Sequence, residues 1–156
     1  MRLKITDREI YIENATIGWR NFEGVAKRYN KEGDRNFTVF FDDEDAAKQL
    51  FDLGWNVKWP KPNDRIAPEE DDRQPSLEVA VAFGPYPPKC LMIVGDNPTA
   101  LDENTIKELD TAELENVDLV IRPYNWKTAD GSGIKAYLKT IYATLRSDEF
   151  TNKYGY

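Results

Sequence analysis

The 156-residue sequence has no histidine and one cysteine, and these two scarcities remove much of the side-chain chemistry an enzyme can use. Without histidine there is no Ser-His or Cys-His nucleophilic pair, no imidazole proton shuttle and no His-ligated zinc. A single thiol forms no intrachain disulfide, zinc ribbon or cysteine-ligated iron–sulfur cluster. Cys90 lies beside Leu91, Met92, Ile93 and Val94, so it reads as a small core hydrophobe rather than a reactive thiol. The phosphate-binding patterns GxxxxGK[ST] and GxGxxG are both missing, and Gly131-Ser132-Gly133 is explained by a turn. No apolar run approaches the length of roughly 20 residues that spans a bilayer. Met1 to Asp7 holds no hydrophobic core for a signal peptide. The expectation is a cytoplasmic protein with no membrane partner, no cofactor and no metal.

What is present is the composition of an ordinary globular domain: 40% hydrophobic, 31% charged and 12% aromatic residues. A chain of this length buries roughly 70% of its unfolded surface, enough for one core without staples. A single domain over residues 1–156 is therefore expected. The net charge is -7, a sign that argues against a polyanionic partner, but the charge is segregated. From Ala15 to Phe41 there are five basic residues (Arg20, Lys27, Arg28, Lys31, Arg35) against three acids. From Leu119 to Ser147 there are five (Arg122, Lys127, Lys135, Lys139, Arg146) against Asp130 alone. Asp96 to Asp118 carries eight carboxylates and only Lys107. A bipolar molecule of this kind can present a basic groove despite its overall sign.

The periodicity is mostly that of strands. Glu9 to Phe22 alternates with a change of phase, Ile10 and Ile12 on one parity and Ala15, Ile17 and Trp19 on the other, as a bulge near Asn14 or a break between two short strands would produce. Arg35 to Phe41 is a second strand. Asp42 or Asp43 caps a helix whose apolar positions Ala46, Ala47, Leu50, Phe51 and Leu53 end at Gly54, and this capping duty accounts for the four acids Asp42 to Asp45 better than a metal does. Trp55 to Trp59 is a short strand with both tryptophans assigned to the core. Lys61 to Ser76 is proline-rich, acidic and aperiodic, the best candidate for a mobile loop. Leu77 to Phe83 and Lys89 to Val94 read as strands on either side of the Gly84-Pro85-Tyr86-Pro87-Pro88 turn, and Leu101 to Leu109 as a short surface helix. Val117 to Trp126 and Ile134 to Leu145 flank the hairpin signal Asp130-Gly131-Ser132-Gly133. Residues 148–156 form a short C-terminal tail.

Two stretches carry the interleaved cations and aromatics of a single-strand binder, in which rings stack on bases and cations follow phosphates. In the last hairpin, Arg122, Tyr124 and Trp126 share one face of their strand, and Lys135, Tyr137 and Lys139 share one face of theirs. Whether the two stripes meet depends on register; the alternative is that the tyrosines half-bury against the core. The second stretch combines Trp19, Arg20, Phe22, Lys27, Arg28, Tyr29, Lys31 and Arg35, with the alternative of a solvated loop anchored by a ring or two. Lys58 projects from the face of its strand opposite the tryptophans.

Three segments resemble the single-stranded DNA-binding proteins of tailed bacteriophages. They are Asn14-Ala15-Thr16-Ile17-Gly18-Trp19-Arg20-Asn21-Phe22-Glu23-Gly24 with Arg35-Asn36-Phe37-Thr38-Val39, then Gly54-Trp55-Asn56-Val57-Lys58, then Val117 to Trp126 with Ile134-Lys135-Ala136-Tyr137-Leu138. The similarity runs from about Ile10 to Leu145. It implies a mainly β, OB-like barrel, elaborated and carrying one or two short helices, that coats single-stranded DNA with little sequence preference in phage replication or recombination, without catalysis. Replication or recombination proteins are the further partners it implies. Two features depart from that pattern: the strong helix falls early, between the second and third strands, and Phe150 to Tyr156 is not an acidic tail. The rival reading is an acidic protein-interaction module or nucleic-acid mimic that inhibits a host DNA-binding protein. A carboxylate–metal nuclease is a third class.

Overall fold

Period-two alternation, punctuated by Gly, Pro and Asx turns, divides the described part of the chain into ten strands and one α-helix. The computed structural model describes residues 1–6 and 8–146. The strands are β1 (Arg2–Ile5), β2 (Ile10–Glu13), β3 (Thr16–Asn21), β4 (Arg35–Phe40), β5 (Val57–Lys58), β6 (Ser76–Val81), β7 (Lys89–Val94), β8 (Asn97–Leu101), β9 (Leu114–Thr128) and β10 (Gly131–Leu145), with helix α1 (Glu44–Asp52) between β4 and β5. The expected tail lies outside the described residues.

All ten strands join one sheet with main order β1-β2-β9-β10-β6-β4-β3. Strand β10 is its centre. It pairs antiparallel with β9 along one side, and on the other it pairs parallel with β6 and, further along, with β7. Strands β6 and β7 therefore lie in line along β10, joined by the Pro-rich turn at 84–88. The hairpin strands β9 and β10 are each 15 residues long. Strands of that length must bend to follow the twist of such a sheet. The register slips at Lys139, and the buried residues of β10 change phase there, from Ala136 and Leu138 to Ile141 and Ala143.

The phase change expected near Asn14 is a break with a sharp bend. Asn14 takes a left-handed conformation with φ 54°. Asparagine tolerates that region better than β-branched or bulky residues do. Its N–H donates to the Asp118 carboxylate at 3.0 Å, and the Ala15 N–H donates to the Val117 carbonyl at 2.7 Å. Before the bend, β2 pairs with β9; after it, β3 pairs with β4. One continuous segment thus serves both ends of the ladder order. Among the described residues the hydrogen-bonded path nevertheless stays open, ending at β1 and β3, so the expected closed barrel is not formed by the ladders.

The curled sheet and α1 enclose a single cluster of buried side chains, including Ile10, Ile12, Phe37, Val39, Leu50, Val79, Ile121, Leu138 and Ile141. The helix is where its signals put it: the Asp43 carboxylate accepts from the N–H groups of Asp45 and Ala46. Gly54, with φ 105°, ends it, as a glycine just past a helix commonly does. Its buried face is narrower than the sequence indicates, since Ala47 and Leu50 are covered but Phe51 and Leu53 stay half-exposed. Trp55 is buried as expected. Trp59 is not, and rests edge-on against Phe51 at 6.4 Å because β5 ends at Lys58.

Strands β1 and β8 carry too little alternation to be read from sequence, each being a short edge strand; β8 even contains Pro98, which an edge tolerates. The helix expected over Leu101 to Leu109 shrinks to a 3₁₀ turn, Ile106–Asp110, that buries Ile106 and Leu109. The long connection before β6 holds only a 3₁₀ turn, Pro68–Glu70, and its last expected residue, Ser76, already belongs to β6. Arg73 ties the connection to itself, clamping the Asp71 carboxylate and donating to the Lys61 carbonyl at 2.7 Å. That clamp holds the Asp71 carboxyl down at about 2.

Because these contacts stay within the connection, deletion of Pro68 to Arg73 is expected to leave a single cooperative thermal transition by circular dichroism; an unfolded product would show that the loop supports the sheet. Burial pushes the Cys90 thiol up to about 12, so at pH 8 it is protonated and covered. It is expected to resist a thiol-exchange reagent in the folded protein and to react once denaturant is added; rapid reaction in the native state would refute its core role.

Candidate nucleic-acid interface

The register of the β9–β10 hairpin decides whether its two cation–aromatic stripes meet. Lys135 stands opposite Tyr124, and Tyr137 opposite Arg122. Directly opposed residues of antiparallel strands share a face, so Arg122, Tyr124, Trp126, Lys135 and Tyr137 lie on the same side of the sheet, while Lys139 falls at the register slip and has no opposed partner. Tyr124 and Tyr137 make an edge-to-face pair with centroids 6.0 Å apart. The Arg122 guanidinium carbon sits 4.9 Å from the Tyr137 ring centre, and the Lys135 ammonium sits 5.2 Å from the same centre. Tyr137 is thereby held between two cations, a favourable placement for charge over a ring face. Tyr124, 54% exposed, and Trp126, 39% exposed, keep open ring surface. Trp126 lies across Gly133, where an added Cβ would come within 2.8 Å of its ring. The tight two-residue turn after Thr128 needs Gly131, whose φ is 149°. Only glycine reaches that conformation without strain.

This platform forms one side of a groove of about 480 Å³. Its floor comes from the outward residues of β4, β6 and β10, notably Asn36, Ala80 and Tyr137, and its far wall from Tyr29 of the loop between β3 and β4 and Arg35 at the start of β4. That loop is held from within. The Asn21 side chain accepts from the N–H groups of Gly24 and Val25, and the Asn30 amide donates to the carbonyls of Val25, Lys31 and Asp34. Asn36 of β4 in turn donates to the Asn30 side chain at 2.8 Å. The tip is left projecting, with Lys27 and Arg28 exposed, Tyr29 89% exposed, and the Arg28 guanidinium 5.4 Å from the Tyr29 ring centre. The groove lining is electrically balanced: Arg35 and Lys135 face Asp34 and Glu78.

The groove gathers Tyr29, Arg35, Trp126, Lys135 and Tyr137, with Arg122 and Tyr124 beside it. It does not gather the rest. Phe22 is wholly buried, stacked on Phe37 at 5.1 Å, so its ring is core and unavailable to a base. The Arg20 guanidinium is spent on the carbonyls of Leu109 and Ala112, at 2.7 and 2.8 Å. Lys139 pairs with Glu9 at 2.8 Å, and that carboxylate raises its pKa. A bulge between Gly18 and Asn21, with Trp19 at φ 45°, turns Trp19 out; it is 77% exposed and packs edge-on against Phe40, but does not line the groove. Lys58 is exposed on β5, while its neighbour Asn56 is the residue that reaches the groove. Sequence reasoning missed the floor, Asn36, Asn56, Glu78 and Ala80, and also Phe83, over which the Arg35 guanidinium lies at 5.3 Å. The outward parity of β4 and β6 was the available signal.

An open groove lined by aromatic rings and flanked by cations has the make-up that single-strand nucleic-acid binders use. Residues 2–156 match the family described as "Putative phage ssDNA-binding domain", and the chain belongs to that family. Solved structures of a single-stranded DNA-binding protein from bacteriophage Enc34 have the same fold. The one in complex with ssDNA is 15% identical, with a TM-score of 0.58 over 94% of this chain and 95% of that one. The one without the complex is 18% identical, with a TM-score of 0.53 over 96% and 93%. No curated protein matches.

Two substitutions separate core from surface. Arg20→Ala is expected to lower stability by about 1–3 kcal/mol in a urea titration, because two carbonyls lose a charged donor. Phe22→Ala is expected to cost about 3–5 kcal/mol. If either left the midpoint unchanged, its structural assignment would fail.

Proposed function

We propose that the protein binds single-stranded DNA in this groove with little sequence preference, protecting it during phage replication or recombination in the host cytoplasm, as a non-catalytic binder. The observation that carries this reading is the shared face of Arg122, Tyr124, Trp126, Lys135 and Tyr137, which the hairpin register brings together opposite Tyr29. We further assign the sheet an OB-like topology, elaborated by β1, α1 and the β7–β8 hairpin. The bent segment β2–β3 serves two edges and β6 runs parallel to β10. OB-folds bind oligonucleotides on the face of their second and third strands, between the first and last inter-strand loops. With β2–β3 counted as the first strand, that region is β4, β6, the β3–β4 loop and the β9–β10 hairpin, the same elements that build the groove.

The mimic reading draws on the acids of residues 96–118, yet several of these are used internally. Asp110 accepts the N–H groups of Phe22 and Glu23, Asp118 that of Asn14, and Asp102 those of Asn104 and Thr105. Carboxylates so engaged shape loops rather than imitate a phosphate ladder.

Tyr124→Ala, Trp126→Ala and Tyr137→Ala are each expected to keep a cooperative melt, and at least two should weaken oligo-dT binding about five- to 150-fold, the worth of one stacked base. With three to five phosphates contacted, log K should fall against log salt with a slope of about -2 to -3.5. Parental affinity in all three variants, or a slope near zero, would remove the groove assignment.

A further inference from the structure

An open depression of about 800 Å³, larger than the groove, lies beside the β9–β10 hairpin and is lined by the turn that carries Pro85, Tyr86 and Pro87. Its charged lining is Arg8, Arg122 and Lys139 against Glu9, a surplus of positive charge, whereas the groove lining is balanced. Tyr86 is 81% exposed. It sits on a turn that Pro85, Pro87 and Pro88 stiffen, in an orientation that no internal packing requires. The two cavities meet at one contact: Arg122 lines the depression, and its guanidinium covers the ring of Tyr137, which lines the groove.

We infer that single-stranded DNA continues from the groove across Arg122 into this depression, where Tyr86 offers a second stacking ring and Arg8, Arg122 and Lys139 take the backbone phosphates. The site thus has two segments, an aromatic one in which bases are held and a cationic one beyond the hairpin. Lys139 is already paired with Glu9, and that carboxylate supplies an internal competitor that phosphate must displace. The inference rests on the single-strand reading above, and it assigns roles to Arg8 and Tyr86, which that reading does not use.

Oligonucleotide length tests it. OB-folds occupy about 4–16 nucleotides, so an oligo-dT of about 5 nucleotides fills the groove alone and one of about 15 spans both segments. Tyr86→Ala and Arg8→Ala, both exposed and thus harmless to the fold, are expected to bind the short strand like the parent and the long strand at least about five-fold more weakly. Tyr124→Ala serves as the control and should weaken both. If Tyr86→Ala and Arg8→Ala bind the long strand like the parent while Tyr124→Ala weakens both lengths, the second segment is overturned and the groove stands. If the parent binds neither length, the single-strand reading itself falls, and the inference with it.

Discussion

The bend at Asn14 is the constraint on which the rest of the structure depends. A single sheet with one short helix can bury a core on one face only by curling, and curling brings opposite ends of the strand order near one another. Here the covalent chain makes that connection. Segment 10–21 pairs with β9 before Asn14 and with β4 after it, and the bend is fixed by Asp118 and Val117 of β9 itself. With both ends anchored, the outward residues of β4, β6, β10 and β9 form one continuous surface. The β3–β4 loop and the β9–β10 hairpin wall that surface into the groove.

The electrostatics of the surface follow from which cations remain available. A net charge of -7 opposes a polyanion at long range. Exposed charges separated by more than a Debye length of about 8 Å are largely screened at physiological salt. What decides the contact is local. Of the basic residues in the two positive blocks, Arg20 is consumed by backbone carbonyls and Lys139 is held by a carboxylate that a phosphate has to displace, while Arg122 and Lys135 both rest close to the Tyr137 ring. Cations resting on a ring give up little freedom when a phosphate arrives, which lowers the entropic cost of binding.

Elements with strong local signals were legible in the sequence: the capped helix and strand β4 fall where cap chemistry and period put them. The last hairpin is present, but its turn is Ala129-Asp130, and Gly131 to Gly133, expected in the turn, belong to β10. The short edges β1 and β8 were not legible, since so few residues give too little alternation to stand out. Parity arguments failed where the backbone departs from a simple strand. Trp59 lies beyond the end of β5, so it defeats the core assignment made by counting in twos. The candidate site divides similarly. Each stripe of the hairpin could be read from strand parity, but that the two stripes meet is shown only by the register of β9 with β10. The groove floor could not be read, because Asn36, Glu78 and Ala80 come together only through pairing of β4 with β6, strands separated in sequence by the helix, β5 and the long acidic connection.

That floor also fixes how a strand would lie. Glu78 and Asp34 sit in the groove, where each repels a phosphate, while the rings of Tyr29, Trp126 and Tyr137 line the same space. Arg35 and Lys135 offset these two acids, so the groove interior gives an anionic backbone no net attraction, while the exposed cations lie at the edges, Lys27 and Arg28 on the loop tip and Arg122 beside the hairpin. Bases turn inward and phosphates outward under this arrangement. Duplex DNA presents the reverse, with phosphates outermost and bases stacked within, so its backbone would meet the acids first while its bases stayed out of reach. On the proposed reading of the groove, preference for single strands follows from the placement of its charges and rings, without any hydrogen bond that reads a base.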